Sequence, residues 1–188
     1  MKTLVVSFLT LLSGLGIGFT AQDKAQDKKP AAQDAMQGPQ PGPEHKMLQT
    51  GCGEWDAVVH MGGGQTKATM TTRPFGQFCT VDDFKGEMMG QTFIGHGVNG
   101  YDPVKKMYFS FWTDSFTPSP SMFWGTFDDK TKTMTMTGEM VGEDGKPGKA
   151  TNTMKFTDAD HMVFTMSAHG PDGKAAEMLK IEYARKKK

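Results

Sequence analysis

The sequence predicts an all-β fold, an up-and-down antiparallel β-barrel of about ten strands behind a short N-terminal helical plug. Three observations predict it. From Glu54 onward apolar and polar residues alternate with period two in segment after segment, and almost nothing repeats at the helical period. Turn signals separate these segments, so each strand pairs with its neighbour in sequence. Each segment has one apolar face, and closing such strands into a barrel removes the exposed edges. A two-sheet sandwich is the alternative arrangement.

The elements follow in order. Pro43 to Thr50, with His45, Met47 and Leu48, predicts a helical turn that plugs the barrel base. The first strand sets Trp55, Ala57, Val59 and Met61 on one face and ends at Gly62-Gly63-Gly64. Further turns fall at Arg73-Pro74-Phe75-Gly76 and Asp102-Pro103-Val104-Lys105-Lys106. Between them, Gly90, Gly95, Gly97 and Gly100 lie within or beside the segment Gln91 to Tyr101, where glycine permits the tight bend a small barrel needs. Two aromatic strands come next, holding Tyr108, Phe109, Phe111, Trp112, Phe116, Phe123, Trp124 and Phe127 and joined through Thr117-Pro118-Ser119-Pro120-Ser121. The remaining strands carry Met134 and Met136, then Met154 and Phe156, then Met162, Phe164 and Met166, and finally Leu179, Ile181 and Tyr183. Turns at Asp128 to Thr131, Glu143 to Lys146, Asp158 to Asp160 and Gly170 to Gly173 set them apart.

At 188 residues the chain has room for one ordinary domain. Lys and Arg total 21, as do Asp and Glu, so the formal charge is zero and no nucleic-acid partner is suggested. The departure from average is 16 Met against two Cys. Thioethers suit Cu(I), but these Met alternate with Thr along strands and do not cluster with His or Cys. They read as adaptable filling for a tapering interior.

Residues 1–21 have the layout of a signal peptide: Lys2, an apolar run from Leu4, and small residues at Gly18, Thr20 and Ala21 before the polar Gln22-Asp23-Lys24. The expectation is an exported protein, periplasmic or secreted, with no stable membrane insertion after cleavage. The Gly51-Cys52 dipeptide lies too far along to be a lipoprotein cleavage box. Residues 22–43 hold no aromatic or β-branched residue and end in alternating Pro and Gly, which predicts a disordered linker. The barrel domain is then 44–188.

Gly53-Glu54-Trp55 opens the first strand, and Arg185 ends the last on the parity of Leu179, Ile181 and Tyr183. This resembles the calycin (lipocalin-like) barrels, in which a Gly-x-Trp on the first strand packs its indole against an Arg from the end of the sheet. The resemblance implies a guanidinium lying over the Trp55 ring and donating to backbone carbonyls at the barrel base. Longer strings, Phe84-Lys85-Gly86-Glu87-Met88-Met89-Gly90, Gly95 through Lys106, Thr126-Phe127-Asp128-Asp129 and Thr135-Met136-Thr137-Gly138-Glu139, resemble the exported bacterial proteins catalogued as domain of unknown function 1579. That likeness implies a secreted β-barrel and brings no established activity.

Candidate chemistry is sparse. No catalytic residue, metal ligand set or cofactor is assigned: the five His show no His-x-His pair, and no Gly-x-Ser-x-Gly elbow exists. His96, flanked by two glycines, is the exception, since it could project into the barrel mouth. A related calycin-like group, the nitrobindins, holds haem through a His near the C-terminal strands, but Ala175 to Arg185 contains none, so His161 or His96 would have to substitute. Asp82-Asp83 and Glu87 could pair as carboxylates for acid/base work, but Asp pairs near a turn are more often solvated, and that is the reading preferred. The aromatic strands look apolar on both faces, so their rings either line a cavity or cover an outer face. Tyr108, Trp112 and Trp124, with His96, are therefore the candidate ligand-binding residues. Cys52 and Cys79 are a possible disulfide in an exported protein, if the segment before strand one crosses the base. The leading expectation is a barrel binding a small apolar or amphipathic molecule; a haem protein or small enzyme using His96 and a cell-envelope interaction module are the rivals.

Overall fold

The computed structural model describes residues 38–142 and 145–187. The expected signal peptide, most of the expected linker, and Glu143 and Asp144 of one expected turn lie outside the described residues. A single helix, α1 (Pro43–Thr50), precedes ten strands: β1 (Gly53–Met61), β2 (Gly64–Phe75), β3 (Cys79–Met88), β4 (Gln91–Asp102), β5 (Met107–Asp114), β6 (Ser121–Asp128), β7 (Thr133–Val141), β8 (Pro147–Phe156), β9 (His161–His169) and β10 (Ala175–Arg185). Each strand is antiparallel to its sequence neighbours and β10 returns to β1, so the sheet is a closed barrel rather than a sandwich.

Helix α1 begins at Pro43, whose fixed φ and missing N–H suit the first helical position, and has the acidic Glu44 in its first turn. His45 accepts a hydrogen bond from the Gly42 N–H at Nδ1 (3.1 Å) and is buried, edge-on to Phe78 and Tyr101. The helix thus stands on the β3–β4 side of the base. Its last turn leads into Gly51, whose carbonyl accepts from the Trp55 indole N–H (3.0 Å).

Alternation along the strands, read through the register, sorts the side chains into inner and outer sets. The inner set packs as two clusters. One holds Trp55, Ala57, Val59, Ala68, Met70, Phe84, Phe93, Met162, Ile181 and Tyr183. The other holds Tyr108, Phe123, Met134, Met136 and Ala150, with Met47 and Leu48 of the helix packed against it. Met154 touches both.

The seam between β1 and β10 is held by Arg185, directly opposite Trp55. Its guanidinium lies over the indole, 4.1 Å from the ring centroid. It also donates to the carbonyls of Cys52 (2.7 Å), Thr50 (3.1 Å) and Ala159 (3.1 Å), so one side chain ties helix end, first strand and last strand together. Gly53 makes room for it: its φ is 144°, and a Cβ there would overlap the Arg185 guanidinium.

A cavity with one polar and one methionine wall

Between the two clusters the interior is not full. A cavity of about 120 Å³ remains, lined by members of both. Its floor is Met47, Leu48 and Gly51 at the end of α1. One wall, from β2 to β4, presents Thr72, Thr80, Asp82 and Asn99. The facing residues from β7 to β9 are Met134, Met136, Met154, Phe156 and Met162, and Met70 of β2 adds a fifth thioether to the strand walls.

Asp82 is the one acidic or basic side chain in this lining. Thr72 Oγ1 donates to its Oδ1 (2.6 Å) and Asn99 Nδ2 to its Oδ2 (2.7 Å). Burial pushes the carboxyl above the usual carboxylate range; the bonds from Thr72 and Asn99 and the charge of His96 across the sheet oppose that rise without cancelling it.

Asp82 is a correction to the sequence reading, which placed the Asp82-Asp83 pair in solvent. Only Asp83 is outside, where Arg73 and His96 hold its carboxyl below the usual range. The parity of β3 carried the signal: Thr80, Asp82 and Phe84 share one face, and Asp83, Lys85 and Glu87 the other.

His96 is a second correction. The inward positions of β4 are Phe93, Gly95, Gly97 and Asn99, so His96 points outward and its Nδ1 lies 2.8 Å from Asp83 Oδ1. The two glycines serve another purpose: a Cβ at Gly95 would overlap the Trp112 indole, and one at Gly97 would press on it. His161 is also outside, paired with Asp158 (2.9 Å). No His is among the residues lining the cavity.

The aromatic strands divide between the two faces. Tyr108, Trp112, Phe123 and Phe127 point inward, while Phe109, Phe111 and Trp124 point outward. Tyr108 is buried, and burial, with Glu44 and Tyr101 nearby, pushes its hydroxyl up to about 12. Trp112 closes the barrel away from the helix, with Phe84 beside it (6.4 Å between centroids) and its indole N–H on Asp114 (3.0 Å). Trp124, expected near a ligand, instead lies under the Lys105 ammonium (3.5 Å) on the outer surface. None of His96, Tyr108, Trp112 or Trp124 lines the cavity.

Cys52 and Cys79 are free thiols, both half-buried, so the possible bridge is not formed. Burial raises the pKa of each. Among the described residues no group of three or more His, Cys, Asp or Glu is placed to hold a metal ion, and no helix is long and apolar enough to cross a membrane.

Fold and interior define the class: a closed ten-stranded up-and-down β-barrel with a small, partly open cavity that is polar on one side. Residues 40–185 match the family described as protein of unknown function (DUF1579), and the chain belongs to that family. Its fold is similar to that of Rv2717c from M. tuberculosis, at 11% identity and a TM-score of 0.56, covering 78% of this chain and 99% of that one. Weaker likenesses reach the S-type phycobiliprotein lyase CPES from Guillardia theta (10% identity, TM-score 0.49, covering 79% and 99%) and a de novo designed fluorescence-activating β-barrel (15%, 0.42, covering 74% and 96%). No curated protein matches.

Proposed function

We propose that this chain is an exported barrel that takes one small amphipathic molecule into the cavity between the Asp82 wall and the methionine wall. The observation that carries this reading is the partly open pocket of about 120 Å³ with Thr72, Thr80, Asp82 and Asn99 gathered on one side of it. Pockets that orient small molecules combine an apolar lining with a few convergent polar groups. The volume sets the scale, since an apolar cavity of about 150 Å³ holds benzene. A haem-sized guest does not fit this space, and the outward His96 and His161 offer it no ligand from inside. Methionine walls suit a guest of loosely specified shape, because the unbranched thioether changes rotamer readily.

The test is a titration with 1-butanol followed by methionine-methyl NMR. Met70, Met134, Met136, Met154 and Met162 should shift, while the exposed Met89, Met122 and Met178 stay still. Shifts confined to the exposed methyls, or none, overturn the reading. Export rests on the Leu4 to Ala21 run and on the small residues before Gln22. Mass spectrometry of the protein recovered outside the cytoplasm should show an N-terminus near Gln22; an intact Met1 there sinks that part.

A further inference from the structure

The interior is unbalanced in its hydrogen bonding. Each Asp82 oxygen accepts one side-chain bond, from Thr72 or Asn99, and a carboxylate has about four acceptor sites, so lone pairs remain on both oxygens. On the methionine side Asn152 Oδ1 is buried with no hydrogen-bond partner. The register sets Asn152 on the inward face, between Met136 and Met166, beside the cavity lining and not within it. The thioethers around the cavity are acceptors too, though weak ones. No Lys, Arg or His lines the space to supply donors or a counter-charge. The cavity lining therefore holds a carboxyl with acceptor capacity to spare and no Lys, Arg or His beside it.

Building on the reading above, we infer that the guest is a small primary ammonium whose N–H groups face Asp82 and whose aliphatic body lies among the methionines. An ammonium carries three donors and no acceptor, the complement of this lining. Its charge offsets the cost of keeping the carboxylate away from water, which no neutral guest does. The thioethers give it a soft, polarizable contact surface that adapts to chain shape. A carboxylate guest would set two like charges in one small space and be rejected.

Three probes of one chain length, n-butylammonium, 1-butanol and butyrate, separate charge from shape in the full-length protein near neutral pH, with the methyls of Met134, Met136 and Met154 as reporters. The ammonium should bind about tenfold or more tighter than the alcohol, as expected for hydrogen bonds to a charged acceptor, and butyrate weakest. Asp82→Asn should bring the ammonium to within about twofold of the alcohol when both are measured on that variant. Equal or tighter binding of the alcohol or of butyrate by the unmodified protein overturns the inference with no variant needed. If 1-butanol binds but the ammonium gains nothing, this inference falls and the cavity reading stands. If no probe moves the cavity methyls, both fall.

Discussion

The two walls of the cavity are built by opposite means. From β2 to β4 the inner face combines small and polar residues, with Gly95 and Gly97 giving up their side chains so that Trp112 can lie across them. Thr72 and Asn99 both donate to Asp82 there, so these three side chains are fixed to one another. From β7 to β9 the inner face is mostly flexible methionine, Met134, Met136, Met154, Met162 and Met166, with Ala150, Asn152, Phe156 and Phe164 among them. One wall is specified by fit and hydrogen bonding, the other by volume alone. Rigid recognition and adaptable packing are thus divided between two sides of one barrel.

The comparison can be broken most sharply at Gly95. Gly95→Val forces the Trp112 ring out of its place and should cost roughly 3 kcal/mol in urea unfolding, the upper end for overpacking. A loss under about 1 kcal/mol would mean that the polar wall yields as easily as the other. Arg185→Ala removes three hydrogen bonds and the stacking on Trp55 at the seam joining the walls, and should cost about 2 kcal/mol. Arg185→Lys should recover only part of it, because an ammonium cannot reach three carbonyls in a planar fork.

Asp82→Asn sharpens the contrast through pH. The folded-state pKa of Asp82 is raised, so the folded protein holds the proton more tightly than the unfolded chain. The wild type then loses stability as pH climbs from the unfolded carboxyl value through the raised folded one, and the loss is complete above it. The variant lacks this loss, so paired urea titrations should show its stability relative to wild type rising over that window and then levelling. A difference that falls with pH would mean the carboxyl is stabilised in its charged form. The smallest effect belongs to the adaptable wall: Met136→Leu conserves volume and should cost about 1 kcal/mol or less by the same measurement.

Much of the barrel is legible in the chain because its evidence is local. Thr133-Met134-Thr135-Met136-Thr137 shows its faces without reference to any other segment, and the turn residues divide the strands in order. The site is harder to see. Asp82 stands beside Asp83, and two adjacent acids suggest solvent until Phe84 is used to fix which of them shares its face. His96 between glycines suggests access for a ligand, whereas the glycines answer to Trp112, a residue on the next strand. The aromatic strands look apolar on both faces, and only the register separates the inward Tyr108 and Trp112 from the outward Phe109 and Trp124. What escapes the sequence is contact between strands, where a residue's meaning is set by a neighbour some dozen positions away.

Every strand pairing but one joins neighbours in the chain. The exception is the seam where Trp55 meets Arg185. Hairpins can form early and locally, but the seam must bring together the two ends of the domain, and that loop closure is the step with the largest entropy to overcome. A chain with that seam unmade would present β1 and β10 as two bare edges, each able to pair with another chain. Arg185 therefore guards the one seam whose opening would turn a closed barrel into a sheet with edges to share.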